Sequence, residues 1–469
     1  MARIVLITNA WGPKHGGINS FNTDFAKALS PVLAPQTRVT CVVLDATAEE
    51  VEDAAKHGVT LLSLGIKGAE RVDESRALNV FDAVRRNSTG EVLWWVGHDV
   101  ISGGAAIALP KLAGQGRSAL LHHMKYSAYT DYKQGKAIAA KKKEDEQRAL
   151  FKQADEVFGV GPLLRDSLSD LLEGARESRM IVPGLAEIVP VPLGKTFSGI
   201  TFGRLDPEND RIKQGRLAIA GFAAACREAN AKPREPEALR DEPVLRVIGV
   251  SPASEEEKEL RVFAREKAGR VVTLHSLPYE GDRTRLFDQL KRSSFAMMLS
   301  WHEGFGLTGW EAIAAEVPLI VSTKSGLYKL VKEKLGAPGV ACLMAVTVRG
   351  GLGDLADGDE ENFDPGDEQD VCQAILNMAH EIERRKEYAK TLRTLLSAQS
   401  DGYTWANCAR SFADALGLPN HPEGPTPPSA AVPPAVLSTT PAPEPSTGTP
   451  SPPAPELSLL ELKEPSWNP

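Results

Sequence analysis

Short β-rich apolar runs alternate with amphipathic helical stretches through most of the chain, and that alternation restricts the fold to α/β units built on parallel sheets. Strands are expected near 3–8, 38–44, 59–63, 91–96, 118–122 and 156–160, and again near 244–250, 270–275, 295–300 and 318–322. A length of 469 residues exceeds one ordinary core, so two domains are expected. Ile181-Val182-Pro183 and Val189-Pro190-Val191-Pro192 read as the connector, giving a first domain over 1–192 and a second over 193–400. Two doubly wound, Rossmann-like domains facing one cleft would place ligands at the carboxyl ends of their strands.

Composition changes abruptly at Pro419. Sixteen of the 33 prolines fall in residues 419–469, so this segment cannot build a core and is expected to be disordered. Its cluster of Leu457, Leu459, Leu460 and Leu462 fits either a peptide that docks on a protein partner or an inert tail. Elsewhere the hydrophobic content of 42% and charged content of 25% are those of a globular protein. A formal net charge of −8 argues against nucleic acid as partner, because phosphate binding needs a basic surface. The five cysteines are scattered without metal-ligand spacing, which favours reduced core thiols and a cytoplasmic location. Arg3-Ile4-Val5-Leu6-Ile7-Thr8 enters a strand at once without a signal-peptide profile, and no apolar run is long enough for a transmembrane segment.

The richest chemistry lies in Glu303-Gly304-Phe305-Gly306-Leu307-Thr308-Gly309-Trp310-Glu311, which sets two glutamates eight positions apart. The apolar run Phe295-Ala296-Met297-Met298-Leu299 precedes it, so the local reading is strand, glycine loop, helix. Amides at a helix N-terminus form an anion site, and glycines let a phosphate approach the backbone. An ionised carboxylate on either side would accept from sugar hydroxyls. Thr308 with Glu311 three residues on also fits a capping box, and on that reading Glu311 only caps its helix while Glu303 is solvated.

This segment, continuing through Ala312-Ile313-Ala314-Ala315-Glu316-Val317-Pro318, resembles the paired-glutamate motif of family-4 retaining glycosyltransferases, enzymes of GT-B fold. The resemblance implies that Glu303 and the loop Phe305-Gly306-Leu307 face the donor sugar and diphosphate, and that Glu311 binds the ribose. Two departures stand out: Glu316 replaces the usual glycine, and Ser325-Gly326-Leu327-Tyr328-Lys329 replaces a Gly-Gly-Leu-x-Glu run. A left-handed residue at 316 would cost on the order of 1 kcal/mol.

Other segments extend the resemblance. Lys14-His15-Gly16-Gly17-Ile18 reads alone as a tight turn, but it resembles the Lys-x-Gly-Gly-Leu loop of glycogen and starch synthases. That likeness puts Lys14, Gly16 and Gly17 at the donor diphosphate. Gly203-Arg204-Leu205 is similar to a phosphate-neutralising motif whose lysine comes late here, as Lys213 after a long loop, with Arg211 as a substitute. Read blandly, the same basic residues are a solvated pair beside an acidic loop. His98-Asp99 and His122-His123 close two strands and resemble residues near the donor and acceptor, with His123 favoured over His122. His302 borders the glutamate loop and is also read as a packing residue. Lys133, Lys136 and Lys141 to Lys143 are read as a solvated helix face, because Glu144, Asp145 and Glu146 follow directly. Tyr403-Thr404-Trp405 and the stretch to Leu416 resemble the family's last helix, which crosses back to the first domain, here over 401–418.

The resemblance covers roughly residues 1–417 in layout. It implies an acceptor-side first domain and a nucleotide-sugar-binding second domain. The activity it implies is transfer of a sugar, with retained configuration, from a nucleotide-diphosphate sugar to an unidentified acceptor. Glu303, Arg204, Lys213, His123 and His98 are the catalytic candidates, with no metal and no cofactor beyond the nucleotide sugar as co-substrate. An epimerase or phosphorylase of the same architecture, and a non-catalytic nucleotide-sugar sensor signalling through its tail, are the rival readings.

Overall fold

Strand order fixes where a ligand can sit, and it follows from the alternation of apolar runs. The structure is a computed structural model describing residues 1–87, 90–130, 137–203, 205, 212–232, 236–279, 282–350, 363–399 and 402–419. Arg204, Arg211, Lys133, Lys136 and residues 420–469 lie outside the described residues.

The first sheet contains β1 (Ala2–Ile7), β2 (Thr37–Val43), β3 (Val59–Ser63), β4 (Glu91–His98), β5 (Arg117–His122), β6 (Glu156–Val160) and β7 (Arg179–Ile181). The second contains β8 (Ser198–Phe202), β9 (Val244–Ile248), β10 (Thr273–Leu277), β11 (Phe295–Met298), β12 (Leu319–Ser322) and β13 (Met344–Val346). Their orders are β3-β2-β1-β4-β5-β6-β7 and β10-β9-β8-β11-β12-β13, and the pairings are parallel. The central strands are buried on both faces, as in Ile4 to Ile7 of β1 and Trp94-Trp95-Val96 of β4.

Each sheet reverses its winding once, between β1 and β4 and between β8 and β11. The crevice outside the carboxyl ends of such strands is the general ligand site of doubly wound sheets. The described segments that leave these strands include 8–16, 98–99, 203 and 299–306, which carry many of the residues singled out from the sequence.

Four details differ from the sequence expectation. Ile181 belongs to β7 rather than to the connector. β8 was not expected, because Ser198, Gly199 and Thr201 interrupt its apolar character, and β13 is only three residues long. β10 starts at Thr273, three residues beyond the expected 270.

The helix Trp405–Ala415 does return to the first sheet. Thr404 starts it by accepting from the Asn407 backbone amide at 3.1 Å, and Phe412 packs edge-on to Phe25 at 4.9 Å and tilted against Phe158 at 4.8 Å. Burying one such phenyl group is worth about 2 kcal/mol. Glu316 adopts φ 54, the left-handed conformation that glycine would take without strain. Its carboxylate receives Arg393 at 3.2 Å, which offsets part of that cost.

The two sheets belong to one body, and side chains bridge the cleft between them. The Trp310 indole N–H donates to the Pro183 carbonyl at 3.1 Å, and the Phe305 ring packs against Gly161. Lys329 pairs with Asp166, Arg165 with Glu333 at 3.5 Å, and the Tyr279 hydroxyl donates to the Pro13 carbonyl at 3.1 Å. All five cysteines are free and buried. No helix of the described residues is long and apolar enough to cross a membrane.

Candidate functional site

β11 delivers Ser300, Glu303 and the glycine loop to the floor of the cleft. Glu303 lies just past the strand, where its carbonyl accepts from the Gly326 amide at 2.9 Å and pins the loop to the start of the next helix. Its carboxylate receives Lys213 at 2.7 Å and the Ser300 hydroxyl at 3.1 Å. Burial pushes this carboxyl up, but Lys213 and Ser300 outweigh that push and hold it below the ordinary value. Glu303 is therefore an ionised, partly buried acceptor. Lys213 reaches it although seven residues separate it from the Gly203-Arg204-Leu205 segment.

Two glycines make this geometry feasible. A Cβ at Gly304 would lie 2.8 Å from the His123 carbonyl oxygen, so the absent side chain lets the two domains touch there. Gly306 has φ 104 and stands at the start of the helix Leu307–Ala314, which has no side-chain cap. The expected capping box therefore does not form: Thr308 lies inside the helix instead of before it.

Glu311 has a tertiary partner instead. Arg283 donates to it at 3.0 Å while also pairing with Asp24 of the first domain. Burial pushes the Glu311 carboxyl up, Arg283 pulls it down and Asp24 adds to the upward push; the net is above the ordinary value. A carboxylate with this little water responds strongly to any new donor, such as a ribose hydroxyl. We expect Glu311→Gln to leave the fold intact and to weaken nucleotide binding about tenfold to a hundredfold, the worth of one hydrogen bond to a charged group. Calorimetric titration checks this, and unchanged affinity in the folded variant would remove Glu311 from the site.

The first domain supplies the opposite wall. Asp99 has φ 40, is fully buried, and begins the helix Asp99–Ala113 at the end of β4. Its carboxylate accepts from His122 Nδ1 at 2.8 Å, from the Gln147 amide at 2.6 Å and from the His123 backbone N–H at 2.8 Å. Those three bonds compensate the strained backbone and fix the β5 terminus. His122 is consequently fully buried, its other nitrogen facing the Ser167 hydroxyl at 3.3 Å. His123 is only partly buried and lies edge-on to Phe21 at 5.0 Å.

His98 is fully buried, and burial pushes its pKa down to about 3. Burial first, then the neighbouring His98 and His122, also hold His123 well below the usual histidine range. His302, beside Glu303, is pushed down to about 4 chiefly by burial.

The 8–16 loop is shaped by the helix it enters. Asn19 accepts from the Thr8 hydroxyl at 2.8 Å and from the Ala10 amide at 3.2 Å, and donates to the His15 carbonyl at 2.8 Å. Gly16 and Gly17 open the helix Gly17–Val32, which has no side-chain cap, and open space surrounds both. Lys14 turns its ammonium to Glu50 at 2.8 Å, within the first domain.

The structure thus brings Glu303, Lys213, the Phe305-Gly306-Leu307 loop and His123 to one cleft, with His98 buried behind His123, while Lys14 points to Glu50. Sequence reasoning missed Arg283, Asp24, Asn22, Gln147 and Ser300. A buried polar residue in an apolar helix face, as Asn22 is between Phe21 and Phe25, was the only local signal among them.

Two doubly wound domains that meet at such a cleft define the GT-B glycosyltransferase fold. Residues 5–412 match the family described as family 4 glycosyltransferase in conflict systems, and the chain belongs to that family. No curated protein sequence matches it. Among solved structures, sucrose-phosphate synthase from Thermosynechococcus elongatus superposes with a TM-score of 0.63 at 15% identity, over 89% of this chain and 98% of that one. Anabaena HepE in complex with UDP and glucose gives 0.61 at 14% identity, over 88% and 99%. A trehalose-6-phosphate structure from E. coli bound with UDP-2-fluoro glucose gives 0.55 at 14% identity, over 89% and 100%. At these identities the likeness is one of fold.

Proposed function

We propose that this chain moves a sugar from a nucleotide-diphosphate sugar to an acceptor with retention of anomeric configuration. The observation that carries the reading is the Glu303 carboxylate, held ionised by Lys213 at 2.7 Å on the floor of the interdomain cleft. An anion beside a cation at one strand end offers an acceptor for sugar hydroxyls and a counter-charge for a diphosphate.

In this reading the donor's diphosphate leaves toward Lys213 and the amides of the Phe305-Gly306-Leu307 loop. Arg204 is the further phosphate partner that the sequence motif suggests. Charge grows on the leaving group in the transition state, so donors aimed at it lower the barrier more than they tighten binding. Glu311 holds the ribose, Gly16 and Gly17 present helix N-terminal amides to the diphosphate, and the acceptor attacks from the face the diphosphate leaves. The bridges between the domains support a closed state that excludes water from the reacting sugar.

A thermal-shift screen against UDP-, GDP- and ADP-sugars tests the donor class. UDP donors come first, because HepE and the E. coli structure hold UDP or a UDP sugar. A ligand present at about a hundred times its Kd adds about 2.7 kcal/mol to stability, so the true donor raises the melting temperature by several degrees. Absence of any shift across nucleotide sugars would contradict the reading.

A further inference from the structure

Asn22, His98 and His123 form a chain of hydrogen bonds from the core of the first domain to the cleft. Asn22 Oδ1 stands 2.9 Å from His98 Nε2, and His98 Nδ1 stands 2.9 Å from His123 Nε2. The Asn22 amide nitrogen donates to the Cys41 sulfur at 3.4 Å. Asn22, His98 and Cys41 are fully buried, so no water supplies an alternative partner.

We infer that Asn22 and His98 are positioning residues that set the tautomer of His123, leaving its Nδ1 as a bare acceptor for a hydroxyl of the donor sugar. The inference rests on the proposed function for its last step alone. The rest is hydrogen-bond bookkeeping. An amide oxygen only accepts, so His98 Nε2 carries the proton. This orientation sets the strong amide acceptor against the strong imidazole donor and leaves the weak sulfur to the remaining amide N–H. A neutral imidazole has one N–H, so His98 Nδ1 is a lone pair and His123 Nε2 must donate to it. His123, neutral in turn, then has no proton on Nδ1. Burial keeps both rings from taking a second proton, in keeping with the downward shifts at both.

Two consequences follow for the chemistry. His98 spends both nitrogens on protein partners and acts through His123. His123 accepts a hydrogen bond from a sugar hydroxyl and donates none to the leaving phosphate.

Nitrogen-15 NMR of the histidine side chains in the full chain at neutral pH tests this directly. The expected spectrum has His123 with a pyrrole-type Nε2 and a pyridine-type Nδ1, and His98 in the same form. A protonated Nδ1 on His123, or an imidazolium, would overturn the inference. Asn22→Leu keeps an apolar core of similar volume and removes the acceptor. His123 is then expected to lose its single tautomer, and kcat to fall about tenfold with a smaller change in the donor KM, the worth of one ordinary hydrogen bond. A folded Asn22→Leu protein whose His123 spectrum matches wild type would refute the relay. Should that variant not fold, the wild-type spectrum alone decides. Failure of the chain to bind any nucleotide sugar would sink the proposed function and leave these spectra unchanged, so the two failures are separable.

Discussion

Glu303→Gln is expected to lower donor turnover about a hundredfold to a thousandfold while bare nucleoside diphosphate still binds, because it deletes the charged acceptor that the proposed function sets at the reacting sugar. Glutamine has nearly the same volume and keeps an oxygen for the Ser300 hydroxyl, so neither a cavity nor a lost packing contact confuses the result. Lys213 loses the charge of its 2.7 Å partner, so affinity for the bare diphosphate should stay level or rise. Steady-state turnover with titration of the bare nucleotide separates the two effects. Full activity in this variant would remove Glu303 from the chemistry.

Lys213→Met should fail differently. It keeps an unbranched apolar stem and deletes the charge that would meet the leaving diphosphate, so turnover should fall more than donor affinity. Loss of one such group costs roughly 3–4 kcal/mol of barrier. The acid limb of the activity profile should move as well. In the native chain Lys213 is the main influence that outweighs burial at Glu303 and holds its pKa low. Without it burial prevails, the pKa rises, and the variant loses the ionised carboxylate at a higher pH than wild type. A pH profile of kcat/KM measures the shift. An unmoved acid limb would show that Glu303 ionisation does not govern the activity.

Most of the scaffold was legible because parallel strands buried on both faces leave continuous apolar runs. β1, β4, β5 and β11 all stand where such runs occur, and the switch-point loops follow from their order. β8 hid because Gly199 and two polar residues break its run, although it lies at the centre of its sheet beside β11.

The site was legible where its contacts are local or carried by a motif, as in the glycine loop after Glu303. It was not legible where tertiary partners decide. Thr308 and Glu311 have capping-box spacing, yet Gly306 starts the helix and Arg283 takes the Glu311 carboxylate. Arg283 lies 259 positions from its other partner, Asp24, and no local pattern encodes such a pair. Asp99 illustrates the same limit. Its place at the end of β4 could be read from the run before it, but its three hydrogen bonds come from His122 and His123 at the end of β5 and from Gln147.

The most direct test of the whole account is calorimetric titration of wild type and Glu303→Gln with two ligands, the nucleotide sugar chosen by the thermal screen and its bare nucleoside diphosphate. The account predicts that wild type binds both and turns the sugar over, while the variant binds the bare diphosphate as wild type does and fails to use the sugar. Equal loss of both ligands in the variant, or no nucleotide sugar bound by wild type, would contradict it.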